Sequence, residues 1–172
     1  KMALEINDTL SYSSTLRELA LSFYLLQKMD SAYHNFTLSY NLSKSISDTT
    51  GMILSLQGIG DVHFERGDIN QAINYFAQQL NISDIKKDIP NSVTSLVKIS
   101  RCHYALGDYP TSSRYLNRAL ILAKEKNLTE SKADVYRYLA LIYETQNRYK
   151  DALDFYKMWI ELSDSIFNEE SG

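Results

Sequence analysis

Residues 66–76 read "RGDINQAINYF" and residues 106–116 read "LGDYPTSSRYL", an echo at a distance of 40 residues. The same offset leads forward to "QNRYKDALDFY" at 146–156 and back to "LQKMDSAYHNF" at 26–36. Self-similarity at one fixed period marks an array of like units, each burying its apolar face against the next.

Aligned on that period, Ala32, Ala72, Ser112 and Ala152 share a column, and four residues on stand Phe36, Phe76, Leu116 and Tyr156. A small residue followed by a bulky one at i+4 is one face of a helix that lets a neighbour approach closely. Upstream, Leu16, Leu56, Leu96 and Tyr136 are followed by Leu19, Ile59, Ile99 and Leu139, then by the small Ala20, Gly60, Ser100 and Ala140. Phe23, His63, His103 and Tyr143 complete an i, i+3, i+4, i+7 stripe, the apolar face of an amphipathic helix. Each unit therefore holds two antiparallel helices, and the fold class is all-α.

Gly67-Asp68 and Gly107-Asp108 write the turn inside two units: glycine accepts a left-handed helix exit and aspartate caps the next start. Gln71 stands where a capping box needs it, and Pro110 falls in a first turn where its missing N–H does no harm. The first and last copies carry Gln27 and Asn147 instead; asparagine tolerates the left-handed region better than glutamine does.

This order of residues, L-x-x-[LI]-[GAS]-x-x-[aromatic or His], then G-D, then A-x-x-x-[FY], resembles the tetratricopeptide repeat over residues 13 to about 166. The resemblance implies a right-handed αα-superhelix, one solenoid over 1–172 with repeats at 13–52, 53–92, 93–132 and 133–166. The period exceeds the usual 34 residues. The additional residues are expected to lengthen helices near the junctions at 43–52, 83–92 and 123–132. Residues 1–12 align with 41–52, sharing an Asp-Thr pair at Asp8-Thr9 and Asp48-Thr49, and are expected to be the tail of a truncated earlier repeat. Trp159 stands where the other copies have Ser39, Gln79 and Ala119, and its indole would obstruct a further repeat stacked in the same way. A locally repacked helix is the alternative.

The close of the chain, from Tyr156 to Glu170, with an exit segment at 167–172, is similar to the exit from the sensor region of bacterial membrane-anchored signalling proteins. That resemblance implies an extracytoplasmic, periplasmic array; an ordinary capping helix, and a cytoplasmic setting, is the alternative. The chain opens at Lys1 in what reads as mid-helix, so it is expected to be a piece of something larger.

Composition narrows the functions. With 18 basic and 21 acidic residues the net charge is −3, without the basic excess that a phosphate backbone requires, so nucleic acid is not an expected partner. No run reaches the 18 or more apolar residues of a membrane span, and no membrane contact by this segment is expected. One cysteine, Cys102, precludes an internal disulfide and a thiolate metal cluster.

Catalysis is not expected, nor any cofactor or metal. His63 and His103 occupy the column of Phe23 and Tyr143 and read as fillers between helices; Cys102 and His103 point about 100° apart around a helix and cannot act as a pair. His34 reads as surface. No metal-protease, P-loop, nucleophile-elbow or paired-cysteine spacing occurs.

The resemblance implies that the first helices line a groove. Carried over by register, its fifth position holds Arg17, Gln57, Val97 and Arg137, its ninth Leu21, Asp61, Arg101 and Leu141, and its twelfth Tyr24, Phe64, Tyr104 and Glu144. Tyr24, Phe64 and Tyr104 would form an aromatic ladder beside Arg17, Arg101 and Arg137, suited to an extended peptide or a partner helix. Alternatively the aromatics pack on their own second helices, and Arg101 pairs with Asp61. The expected function is a non-catalytic protein- or peptide-binding scaffold or sensor in bacterial signal transduction, with self-association as a further contact. A cytoplasmic regulator that captures a signalling peptide and a helical accessory domain of an enzyme are the alternatives.

Overall fold

The structure, a computed structural model, describes residues 2–171, with side chains over residues 6–167. Of the exit segment expected at 167–172, all side chains after Phe167 lie outside the described residues. Among the described residues there are eight α-helices and no strand: α1 (Met2–Leu25), α2 (Met29–Ser45), α3 (Thr49–Glu65), α4 (Ile69–Lys86), α5 (Ile89–Ala105), α6 (Tyr109–Glu125), α7 (Thr129–Thr145) and α8 (Tyr149–Ser171). Four helices fall in each of two compact units, Lys1–Lys86 and Lys87–Gly172.

The helices stop where the backbone turns left-handed. Positive φ occurs at Gln27, Ser47, Gly67, Lys87, Gly107, Asn127 and Asn147, one residue every 20. Glycine marks only two of these exits; the others are held by residues that tolerate the conformation at a cost of about 1–2 kcal/mol. The turns close by main-chain bonds of the Schellman kind, such as Lys28 N–H to Phe23 O at 2.8 Å, Asp48 N–H to Ser43 O at 2.8 Å and Asp108 N–H to His103 O at 2.9 Å. The junctions at 43–52, 83–92 and 123–132 thus each contain a turn, and the length beyond 34 residues resides in helices such as α3, α5 and α7 of 17 residues each.

Caps follow the aspartates. Asp48, Asp88 and Asp108 accept the main-chain N–H of Gly51, Asn91 and Thr111 at 3.1–3.2 Å. Asp68, expected to cap α4, holds its carboxylate 3.4 Å from His63 Nδ1. Asp108 does both, lying 3.3 Å from His103 Nδ1. Residues 2–25 are one continuous helix, so the turn that alignment with 41–52 would put near Asp8 does not form.

In the first unit Leu16, Ala20, Ala32, Phe36, Leu56, Ile59 and Phe76 are buried as the columns require. Leu19 is not: it is 43% exposed, because no helix precedes α1 among the described residues. A buried serine seam ties α2 to its neighbours. Ser39 Oγ donates to the Ser13 carbonyl at 2.8 Å, Ser55 Oγ donates to Ser39 Oγ at 3.0 Å, and Ser13 Oγ lies 2.8 Å from Ser43 Oγ. Each hydroxyl is small enough to let backbones close up and is satisfied where it is buried.

In the second unit Leu96, Ile99, Leu116, Ala119, Leu139 and Ala140 form the same core, and Ser112 Oγ donates to the Ser100 carbonyl at 2.9 Å. His63 and His103 are half-buried fillers, stacked on Tyr75 and Tyr115 with ring centroids 5.2 and 5.6 Å apart. Tyr143 repeats the contact on Phe155 at 5.4 Å. Trp159 is half-buried and touches Tyr156 with centroids 6.3 Å apart, whereas Ser39, Gln79 and Ala119 are fully buried.

Candidate groove site

In the first unit α1 and α3 present side chains to a common opening. Arg17, Glu18, Leu21 and Tyr24 reach it from α1, Leu54, Gln57, Gly58 and Asp61 from α3, and the Phe36 ring of α2 forms part of the lining. The cavity measures about 280 Å³. An apolar cavity of about 150 Å³ holds benzene, so this one accepts a bulky side chain but not a drug-sized ligand.

Its depth rests on Gly58. A Cβ there would lie 2.4 Å from Phe36 Cε1, closer than real atoms approach, so only glycine admits the ring against this stretch of α3. Gly60 has the same relation to Phe76, again at 2.4 Å. Glycine inside a helix costs about 1 kcal/mol relative to alanine, and close approach is what it gains.

Five of the residues expected in the groove, Arg17, Leu21, Tyr24, Gln57 and Asp61, therefore meet around one cavity. Gln57 Oε1 accepts from Gln79 Nε2 of α4 at 3.3 Å, which fixes its amide. Arg17 is half-buried, and its Nη1 is enclosed with no hydrogen-bond partner. Phe64, half-buried on α3, does not line the cavity.

The equivalent positions of the second unit are tied to their own surroundings. Tyr104 packs on Tyr109 of α6, with centroids 5.4 Å apart. Burial, followed by the neighbouring Tyr109 and the charge of Glu144, raises the pKa of its hydroxyl. Glu144 accepts from the Tyr156 hydroxyl at 2.7 Å, a bond that heads the causes raising the Tyr156 pKa. Arg137 lies 3.5 Å from Asp134 and over the Tyr138 ring at 4.8 Å. Val97, Arg101 and Leu141 are half-buried. The aromatic ladder thus has unlike rungs, Tyr24 lining an opening and Tyr104 packed on the second helix of its own pair.

Glu18, Phe36, Leu54 and Gly58 line the cavity without having been expected there. The column of Glu18, Gly58, Lys98 and Tyr138 shares no residue type, so the period conceals it. A signal did exist: α3 carries Gly51, Gly58 and Gly60 within 17 residues, and such density inside a helix indicates close approach. Among the described residues no group of three or more His, Cys, Asp or Glu could hold a metal ion. Cys102 is fully buried and His34 is exposed.

Residues 91–165 match the family described as tetratricopeptide repeat. No curated protein matches the chain by sequence. Among solved structures, the apo form of RapI superposes with a TM-score of 0.79 at 14% identity, over 94% of this chain and 59% of that one. A Rap protein complexed with Competence and Sporulation Factor gives 0.81 at 16% identity, over 93% of this chain and 44% of that one. A signal transduction ATPase with numerous domains from Pyrococcus horikoshii, which carries a tetratricopeptide repeat sensor, gives 0.81 at 16% identity, over 95% and 25%. The chain thus spans about three-fifths or less of the length of each of these. With the sequence match over 91–165 and the structural likeness over more than nine-tenths of the chain, this is an all-helical protein of tetratricopeptide-repeat architecture.

Proposed function

We propose that the chain is a non-catalytic recognition module that binds a protein or peptide, and serves as the sensor or scaffold region of a bacterial signal-transduction protein. The observation that carries this is the meeting of Arg17, Leu21, Tyr24, Gln57 and Asp61, which the repeat register marks as groove positions, around one open cavity. An exposed apolar rim with a few fixed polar groups is the chemistry of side-chain capture. Tetratricopeptide repeats generally act as scaffolds, which supports the non-catalytic reading.

The fold likeness to a Rap protein complexed with Competence and Sporulation Factor supports a second version, a cytoplasmic regulator that captures a signalling peptide. The resemblance of residues 156–170 to a sensor exit supports the extracytoplasmic version instead. The sequence flanking the segment in its gene separates the two: a signal peptide and a membrane span favour the sensor, a DNA-binding helix-turn-helix the regulator. For binding itself, a displayed random-peptide library selected on the chain should yield sequences whose affinity falls at least tenfold with Tyr24→Ala. Selected peptides indifferent to that change would remove the groove from the proposal, and reproducible turnover in a hydrolase and transferase panel would remove the non-catalytic assignment.

A further inference from the structure

Helix α8 carries two apolar faces. One packs on α7: Ala152 is buried, and the Phe155 ring lies on Tyr136 and Tyr143 with centroids 5.9 and 5.4 Å away. The other, turned about 100° around the helix, runs through Tyr149, Leu153, Tyr156, Ile160 and Phe167. Of these Tyr149, Leu153 and Ile160 are 63%, 53% and 50% exposed. At the repeat positions of Tyr156 and Ile160 the earlier helices have Phe36 and Leu116, which are buried, and Tyr40 and Leu120, which are half-buried, because α3 covers α2 and α7 covers α6. A following helix of the repeat kind does not suit the exposed face. Ser39 stands between α1 and α3, donating to the Ser13 carbonyl and accepting from Ser55, whereas its counterpart Trp159 is a half-buried indole that fills that space. Alternating steps of four and three residues along Tyr149, Leu153, Tyr156 and Ile160 are instead the d and a seam of a coiled coil, where interlocking side chains need no small residue at the crossing. The residues flanking the seam decide its direction. Lys150, Lys157 and Asp164 recur beside it at heptad spacing. In an antiparallel pair with its axis near Met158, Lys150 of each copy meets Asp164 of the other. A parallel pair would set Lys157 against Ala152 and Asp164 against Trp159, with no opposite charge for either.

We propose that this face of α8 binds the same face of a second copy of the chain, in an antiparallel two-helix seam where Leu153, Tyr156 and Ile160 interlock and two ion pairs between Lys150 and Asp164 fix the direction. The interface is self-complementary, so it closes as a two-fold dimer rather than a filament. The two Lys157 side chains come together near the axis, each one turn from Glu161 of its own helix, which offsets their repulsion. The inference concerns the second unit alone and does not depend on the groove reading.

Sedimentation equilibrium of the whole chain, 19.8 kDa as a monomer, from micromolar to millimolar concentration should show it pass from monomer to dimer. Leu153→Lys combined with Ile160→Lys should weaken association by about a hundredfold or more while the dilute chain keeps its thermal midpoint, since both positions are exposed. Lys150→Glu should weaken it about tenfold at low salt, and adding Asp164→Lys to that variant should restore it. Nitroxide labels read the direction. At Ser165→Cys they should stand about 21 Å apart along the helix axis in an antiparallel pair and level with each other in a parallel one, whereas at Met158→Cys they are level in both. The Ser165 labels should therefore be the farther apart. A chain that stays monomeric throughout would overturn the inference, as would a dimer indifferent to the paired lysines, which would place self-association on another face such as that of Leu19 on α1. A Lys150→Glu loss that Asp164→Lys does not repair, or Ser165 labels as close as those at Met158, would overturn it too. Each of these results leaves peptide binding by the first unit untouched.

Discussion

The two compact units are written in the same 40-residue meter, yet they treat the same register positions in opposite ways. In Lys1–Lys86 five of the groove positions surround an opening, and Arg17 Nη1 is left without an acceptor. In Lys87–Gly172 they are occupied by neighbours outside that register: Tyr104 lies on Tyr109, Tyr156 donates to Glu144, and Arg137 pairs with Asp134. The repeat sets where a side chain stands, and its neighbours decide whether it is available. A position that is energetically spent within its own unit contributes shape to a surface, whereas an unspent one contributes affinity.

Phe36 and Leu116 share one column and are buried to 4% and 0% exposure, so replacing either by alanine should cost most. Large-to-small changes of this kind cost about 3–5 kcal/mol for Phe36→Ala and about 2–5 kcal/mol for Leu116→Ala, read from urea unfolding. Only Phe36→Ala should also abolish peptide binding, because only Phe36 lines the cavity. Equal effects of both on binding would erase the contrast between the units.

Next in size is Gly58→Ala, whose added carbon meets the Phe36 ring at 2.4 Å. It should lower stability by about 1–3 kcal/mol and shrink the cavity. An unchanged unfolding midpoint would mean that Phe36 has another place to go, and that the cavity is not set by glycine.

A smaller effect, about 0.5–1 kcal/mol, is expected of Tyr156→Phe, which removes a partly exposed bond to Glu144. Its more informative consequence is to release Glu144. If the second unit is closed by such internal bonds, the variant should gain binding of basic peptides; no gain would show that the bond was not what occupied Glu144.

The smallest effect lies in acid. Asp108 is held below its ordinary pKa, first by its hydrogen bonds from Thr111 and then by His103. A carboxyl with a lower pKa folded than unfolded stabilises the fold above the unfolded value and ceases to do so as the pH falls through the folded one. Its contribution is therefore full above about pH 4 and fades below it. Asp108→Asn, which keeps a capping oxygen, should flatten the thermal midpoint's decline below that pH, and an unaltered acid limb would refute the assignment.

Most of the fold was legible because helix stacking repeats. Columns such as Ala20, Gly60, Ser100 and Ala140, all buried, recur because every helix pair needs one small residue where a neighbour crosses. Gly67 and Gly107 gave away their turns, but Ser47, Lys87 and Asn127 did not, since a non-glycine residue in a left-handed turn leaves no mark when the turn's own hydrogen bonds hold it there. Leu19 and Trp159 departed from their columns because burial depends on what lies on the other side of the helix, and each belongs to the first or the last helix described.

By itself the sequence determined the period, the helix pairs and the register that placed Arg17, Leu21, Tyr24, Gln57 and Asp61 on one side of α1 and α3. Only the tertiary structure decided that they enclose a cavity, that Gly58 and Phe36 give it depth, and that Tyr104, Arg137 and Glu144 are occupied elsewhere. The physical reason is range. Periodicity comes from the geometry of one helix, which successive residues encode, whereas an opening and an unpaired donor depend on atoms brought together from separate helices by packing.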